Sequence, residues 1–78
     1  MKKVIVITGA SSGMGKEAAK LLINQGHSVY ALARRMEEMQ DLQQLGGHPM
    51  QLDITHEDNV RQVVETIVQR EGKIDVLI

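Results

Sequence analysis

Short apolar runs alternate along the chain with segments in which apolar residues recur at helical spacing. The apolar runs are typical of β-strands, and the periodic segments are typical of amphipathic helices. The predicted strands are residues 3–8, 28–33, 49–53 and 74–78, and the predicted helices are residues 13–25, residues 36–45 and a third that opens at Thr55 and ends at Gly72. The first strand is apolar on both faces, as expected for a central strand of a parallel sheet.

The alternation of strand and helix predicts an α/β fold with a parallel sheet, because parallel strands need crossover connections. Right-handed crossovers give the expected strand order 3-2-1-4. In a sheet of this kind, ligands bind beside the carboxyl ends of the strands. The order of elements is therefore β-α-β-α-β-α-β, with a candidate binding edge near the first strand.

Local signals mark the ends of the third predicted helix. Thr55 is a good N-cap residue, and Asp58 stands at the capping-box position three residues later. Gly72 follows the last apolar residue of the helical pattern and predicts its C-terminal end. We therefore expect Thr55 and Asp58 to satisfy the first backbone N–H groups of this helix.

The composition excludes several classes of function. The chain has 78 residues, no cysteine, one aromatic residue and a formal net charge of −1. Without cysteine it has neither disulfides nor a cysteine-based metal site, and a reducing, cytoplasmic location is expected. The balanced charge predicts no binding to nucleic acid or to an anionic membrane, and the apolar runs are too short to cross a bilayer. The three histidines share no ligand spacing, so no metal is expected.

A glycine-rich segment, residues 8–15, lies between the first strand and the first helix with the sequence Thr-Gly-Ala-Ser-Ser-Gly-Met-Gly. Gly9, Gly13 and Gly15 allow positive φ and let a phosphate approach without meeting a Cβ. The helix that follows offers unpaired N–H groups and the positive end of its dipole. The segment therefore predicts a site for the pyrophosphate of a dinucleotide.

The spacing T-G-x-x-x-G-x-G resembles that of the short-chain dehydrogenase/reductase family, in whose usual string isoleucine stands where this chain has Met14. The resemblance implies a Rossmann-type doubly wound fold. It also implies an oxidoreductase that transfers hydride between a nicotinamide dinucleotide and a carbonyl or alcohol substrate, with Met14 among the cofactor-binding residues. Ser11 and Ser12 either donate hydrogen bonds to the cofactor or only stabilise the turn.

The end of the second strand predicts which nicotinamide cofactor is bound. An acidic residue there would hold the adenine-ribose hydroxyls and select NAD. By alignment with the resembled family, Ala33 occupies this position, and Arg34 and Arg35 follow it. A neutral residue followed by guanidinium groups favours a 2′-phosphate, so NADP is predicted and NAD is less favoured. The alternative is that the arginines are solvated and paired with Glu37 or Glu38.

Asp53 and Ile54 stand where the third strand meets its loop. In the resembled family, an aspartate at this place accepts a hydrogen bond from the adenine amine, and the aliphatic residue after it contributes backbone. The resemblance thus implies that both residues contact the cofactor. The alternative is that Asp53 only helps to start the third helix.

No catalytic residue is assigned within the chain. Tyr30, its only tyrosine, has Arg34 four residues later and so imitates the Tyr-x-x-x-Lys pair of the resembled family. That pair belongs on a helix, where this spacing places both side chains on one face. Tyr30 lies on a predicted strand, where four residues span about 13 Å. We therefore expect Tyr30 to be a residue of the core or of a sheet face.

The resemblance implies that residues 1–78 form the N-terminal part of a single NAD(P)-binding Rossmann domain whose remainder is absent from this chain. The last strand, residues 74–78, is apolar and would present an unpaired edge, which favours a homo-oligomer. A hypothesis from a different class is a non-catalytic nucleotide-binding module or a minimal half-Rossmann fragment, because a fold does not determine a function.

Overall fold

The computed structural model describes residues 2–11 and 13–78. Within these residues the chain forms four strands, three α-helices and one 3₁₀ helix. The strands are β1 (Val4–Thr8), β2 (Ser28–Ala33), β3 (His48–Gln51) and β4 (Val76–Leu77), and the α-helices are α1 (Gly13–Asn24), α2 (Gln40–Gln44) and α3 (Glu57–Glu71). The 3₁₀ helix, Met36–Met39, leads directly into α2.

The strands form a parallel sheet in the order β3-β2-β1-β4, which confirms the predicted α/β fold class and topology. β1 pairs with β2 from Val4 opposite Ser28 to Thr8 opposite Leu32. β4 is shorter than predicted, although the backbone N–H of Ile78 still donates to the Val6 carbonyl at 2.8 Å. β1 and β2 are therefore the central strands of this sheet.

Each face of the sheet carries its own apolar core. The core under α1 and α2 contains Ile5, Ile7, Ala10, Ala19, Ile23, Val29, Ala31, Ala33, Met39 and Leu42. The core under α3 contains Val4, Val6, Tyr30, Leu32, Leu52, Val63 and Ile67. Because both faces are covered, β2 is buried along its whole length, as expected for a central strand of a doubly wound sheet.

The predicted start of the third helix is wrong. α3 begins at Glu57 with His56 as its N-cap, and no side chain forms a capping hydrogen bond there. Thr55 instead donates its backbone N–H at 3.0 Å and its hydroxyl at 2.6 Å to Oδ1 of Asp53. Thr55 therefore belongs to a turn with Asp53 that ends one residue before the observed N-cap, and the capping box with Asp58 does not form.

Other boundaries differ by a few residues from those predicted. The segment expected to be one helix over residues 36–45 is a 3₁₀ helix followed by a short α2. β3 ends at Gln51, so Asp53 lies in the loop that follows. Gly72 ends α3 as predicted, with a left-handed conformation and an N–H that donates to the Val68 carbonyl at 2.7 Å. No helix in the described part of the chain is long and apolar enough to cross a membrane.

Candidate functional site

The carboxyl ends of β1, β2 and β3 border an open cleft of about 580 Å³. The loops that follow these strands form its walls, at the edge where doubly wound sheets bind ligands. The cleft is lined by Thr8, Gly9, Ser11, Leu32, Ala33, Arg34, Arg35, Glu38, Leu52 and Ile54. The structure therefore brings Gly9, Ser11, Arg34, Arg35 and Ile54, all predicted site residues, to one cleft.

We use the name glycine loop for Gly9, Ala10 and Ser11, which follow β1, together with Gly13 at the start of α1. Gly9 and Gly13 have positive φ values of 65° and 62°, a conformation that residues with a Cβ rarely adopt. A Cβ built on Gly13 meets no described atom within 4 Å, so the space beside this backbone is open. The N–H of Ala10 donates to the Leu32 carbonyl at 3.2 Å and holds the loop against β2. This geometry fits a phosphate at the N-terminus of α1.

Gly15 lies in the first turn of α1 and has a different structural role. A Cβ on Gly15 would lie 2.5 Å from the carbonyl oxygen of Gly9, closer than packed atoms approach. The missing side chain thus lets the helix pack directly against the glycine loop. Gly15 sets the distance between helix and loop, and its contact with a cofactor stays a prediction.

The remaining predicted residues of this segment differ in their placement. Ser11 is half-buried and lines the cleft. Met14 is 90% exposed and does not belong to the apolar stripe of α1. Ser12 lies outside the described residues. Of the two described side chains, that of Ser11 lines the cleft and that of Met14 does not.

The two arginines after β2 have different surroundings. Arg34 borders both the cleft and a second, polar pocket of about 310 Å³, and within the described residues it forms no ion pair. Gln51 donates from Nε2 to the backbone carbonyl of Arg34 at 3.2 Å and so fixes the path of the loop. Arg35 Nη1 lies 3.6 Å from Glu38 Oε1. Among the described residues Arg35 thus has a glutamate partner and Arg34 has none, and contact of either arginine with a cofactor stays a prediction.

Asp53 is held at both its backbone and its side chain. Its N–H donates to Asn59 Oδ1 at 2.6 Å, and its carboxylate accepts the two hydrogen bonds from Thr55. The side-chain hydrogen bond from Thr55 is the main cause that lowers the pKa of Asp53 below its ordinary value. The ionised carboxylate lines the polar pocket together with Arg34. No group of three metal-ligating side chains occurs in the described part of the chain, at Asp53 or elsewhere.

Apolar side chains form one wall of the cleft. Leu32 and Leu52 are buried and belong to the core under α3, whereas Ile54 is largely exposed. Such a surface is suited to the flat face of a ring. Sequence reasoning named Glu38 only as an alternative partner of the arginines and did not single out Leu32 or Leu52. The position of Leu32, directly before Ala33 at a predicted strand end, was the one available signal.

Tyr30 lies in the core under α3 and away from the cleft. Its side chain is 1% exposed, its hydroxyl donates to Glu71 Oε2 at 2.7 Å, and its ring stacks on His48 with centroids 4.8 Å apart. Burial raises the pKa of Tyr30 above its ordinary value, and the hydrogen bond to Glu71 raises it further. The expectation that Tyr30 is a core residue is confirmed.

Known proteins match this chain over almost its whole length. Residues 3–78 match the family described as short chain dehydrogenase. A probable NADP-dependent dehydrogenase from Dichelobacter nodosus is 42% identical over 78 residues, which cover 96% of this chain and 74% of that protein. Two other curated relatives are 42% and 44% identical, and the chain spans only 32% and 27% of their lengths.

Solved structures also share the fold of this chain over almost its whole length. A short-chain dehydrogenase from Streptomyces avermitilis superposes with a TM-score of 0.92 at 34% identity, over 97% of this chain and 29% of that one. An alcohol dehydrogenase from the archaeon Thermococcus sibiricus, complexed with 5-hydroxy-NADP, superposes with a TM-score of 0.86 at 28% identity. This match covers 99% of this chain and 36% of the alcohol dehydrogenase. Together with the glycine loop at the carboxyl end of β1, these matches establish that the chain belongs to the short chain dehydrogenase family.

Proposed function

We propose that this chain binds NADP as the cofactor-binding part of an oxidoreductase. One observation carries the proposal: Arg34 has no ion pair among the described residues and borders the cleft beside the buried methyl group of Ala33. A guanidinium group can bind a 2′-phosphate through paired, charge-assisted hydrogen bonds. A site for NAD would instead offer a carboxylate to the ribose hydroxyls at this position.

The other walls of the cleft fit the rest of an adenine dinucleotide. The open backbone at Gly9 and Gly13 suits the pyrophosphate, and the hydroxyl of Ser11 can donate to its oxygens. Ile54 offers apolar surface for the adenine ring, and the ionised carboxylate of Asp53 can accept from its amine. We propose these contacts as the binding mode.

Two similar proteins support the choice of NADP. The Dichelobacter relative is described as NADP-dependent, and the Thermococcus structure contains 5-hydroxy-NADP. When bound, the nicotinamide of such a cofactor exchanges a hydride with a carbonyl or alcohol substrate. The described residues of this chain would bind and orient the adenosine and pyrophosphate. A cytoplasmic location and a homo-oligomeric state are part of the same proposal.

Replacement of Arg34 by alanine tests the choice of cofactor. We expect the affinity for NADP to fall about tenfold or more, since a charge-assisted contact contributes about 1.5–3 kcal/mol, and the affinity for NAD to stay nearly unchanged. Isothermal titration calorimetry with both cofactors measures the two effects. Arg61→Ala is the matched control, because Arg61 is an exposed arginine of α3 outside the cleft. Equal losses for NADP and NAD in Arg34→Ala would contradict the assignment.

The burial of Tyr30 favours a second function for the isolated chain, that of a binding module without catalysis. As a 78-residue polypeptide it should not oxidise NADPH with any of a panel of ketones and aldehydes, because its only tyrosine is buried and bonded to Glu71. It should also associate through Leu77 of β4 and through Ile78, the residue after β4, because both side chains are apolar and exposed. Measurable turnover would contradict the first expectation, and a compact monomer by size-exclusion chromatography with light scattering would contradict the second.

A further inference from the structure

Glu38 is an acidic residue on the wall of a cleft that is proposed to bind a phosphate. It lines the cleft together with Arg34 and Arg35, and its carboxylate pairs with Arg35 at 3.6 Å. Its neighbour Glu37 has the same charge, lines neither the cleft nor the polar pocket, and forms no ion pair in the part of the chain described. The two adjacent glutamates therefore differ in one respect, which is access to the proposed phosphate site.

The backbone of Glu38 is held on both sides, which places its Cα beside the cleft. Its N–H donates to the Arg35 carbonyl at 3.3 Å, and its own carbonyl accepts a hydrogen bond from Lys16 Nζ at 2.7 Å. Met39, the next residue, is fully buried in the core under α1 and α2. The 3₁₀ helix that contains Glu38 is thus held by the packing of Met39 in the core and by the hydrogen bond from Lys16 of α1.

The ion pair between Arg35 and Glu38 is loose enough to exchange. Its 3.6 Å separation exceeds the 2.7–2.9 Å typical of a strong charge-assisted hydrogen bond, and the two side chains are 72% and 44% exposed. An exposed pair of this kind is weak. A phosphate monoester carries up to two negative charges and three acceptor oxygens, so it outcompetes a single carboxylate for the same guanidinium.

We propose that Glu38 is a specificity-determining residue that competes with the 2′-phosphate of NADP for Arg35. The inference rests on the proposed function. Arg34 forms no ion pair among the described residues, whereas Arg35 binds the phosphate only after leaving Glu38. The consequence is that Glu38 lowers the affinity for 2′-phosphorylated ligands and leaves the affinity for their unphosphorylated counterparts unchanged.

Adenosine 2′,5′-bisphosphate and AMP are the probes, because they differ only in the 2′-phosphate. Titration calorimetry on the full-length protein compares the wild type with Glu38→Gln and with the matched control Glu37→Gln. Glu38→Gln should bind the bisphosphate about two- to fivefold more tightly and AMP as the wild type does. Glu37→Gln should match the wild type with both probes. In an Arg35→Ala background, Glu38→Gln should give no gain.

Three outcomes would overturn the inference while leaving the proposed function intact. These are no gain from Glu38→Gln, an equal gain from Glu37→Gln, and a gain that persists in the Arg35→Ala background. The last would mean that Glu38 repels the phosphate directly and does not act through Arg35. A wild-type protein that binds the bisphosphate no better than AMP would instead overturn the proposed function itself.

Discussion

Polar groups at the amino ends of the strands differ in their hydrogen bonding from those at the carboxyl ends. Toward the amino ends of the strands these groups bond to one another: the Tyr30 hydroxyl donates to Glu71 at 2.7 Å, and the N–H of Val4 donates to Asp75 Oδ2 at 2.8 Å. At the carboxyl ends Asp53 and Arg35 also have partners, but Arg34 has no ion pair among the described residues, and the glycine loop presents open backbone. The polar groups named at the amino ends of the strands thus have hydrogen-bond partners, whereas some of those at the carboxyl ends are left open to a ligand.

This difference separates stability from binding. Polar groups whose partners lie within the fold contribute to the free energy of unfolding. Groups that lack partners, held by a rigid scaffold, are free to bind. Substitutions at the amino end should therefore change stability without changing cofactor affinity, and well-chosen substitutions at the carboxyl end should change affinity.

The largest expected effect is the loss of NADP binding in Gly13→Val, compared with Gly72→Val at the opposite end. Both glycines have positive φ, and a Cβ at either meets no described atom within 4 Å. Valine should thus impose a similar backbone strain, about 1–3 kcal/mol, at each. Only Gly13→Val puts a branched side chain where the pyrophosphate would lie.

Circular dichroism melts establish that both variants fold, and titration calorimetry with NADP then separates them. Gly72→Val should melt at a lower temperature and bind as the wild type does. Unchanged NADP affinity in a folded Gly13→Val protein would rule out the glycine loop as the pyrophosphate site.

A smaller effect, on stability alone, is expected for Tyr30→Phe. Removal of the hydroxyl leaves the half-buried Glu71 carboxylate without its donor, so the free energy of unfolding should fall by about 1.5–3 kcal/mol. Urea denaturation measures this change. Thr66→Ala is the control, because it removes a hydroxyl that donates to the Gln62 carbonyl from a partly exposed position. If NADP affinity also fell in Tyr30→Phe, the two ends of the sheet would be coupled.

The smallest expected effect is the contribution of Asp75 to the pH dependence of the free energy of unfolding. The hydrogen bond from the Val4 backbone is the main cause that lowers the pKa of Asp75 below its ordinary value. A carboxyl whose pKa is lower in the folded state stabilises the fold above its unfolded pKa, near 4, and loses this contribution as the pH falls through the folded value.

Asp75→Asn should therefore lower the melting temperature slightly at pH 7, and its difference from the wild type should shrink below about pH 4. Thermal melts across this range measure the difference. Glu65→Gln, which removes a charge from an exposed residue of α3, is the control. A difference that stays constant down to pH 2 would show that the charge of Asp75 does not matter.

Local patterns predicted the parts of the molecule that depend on short stretches of chain. Strand order followed from the alternation of apolar runs, and the glycine loop followed from the spacing of Gly9 and Gly13 after a strand. The start of α3 was wrong because the Thr55 hydroxyl can serve in two ways, as an acceptor for a helix N–H or as a donor to a carboxylate. Thr55 can cap a helix or donate to Asp53, and the sequence alone does not rank these bonds.

The parts that depend on contacts between distant residues could not be predicted. Glu37 and Glu38 are equivalent in the sequence, and only the 3₁₀ turn decides that Glu38 meets Arg35. The close approach of Gly15 to the Gly9 carbonyl depends on how α1 packs, so the sequence could not separate a packing role from a binding role. Whether the site residues contact a cofactor stays a prediction.

Lys16 has a consequence for anyone who wishes to redesign this protein. It lies one residue after Gly15, yet its ammonium group donates to the Glu38 carbonyl and pairs with Asp41 at 3.0 Å. The glycine loop and residues 34–41, both proposed to hold the cofactor, are therefore coupled through Lys16 and cannot be exchanged independently. Residues 34–41 transplanted from a relative without an acidic residue in place of Asp41 would leave a largely buried ammonium without a counter-charge. A graft meant to change cofactor preference must include position 16.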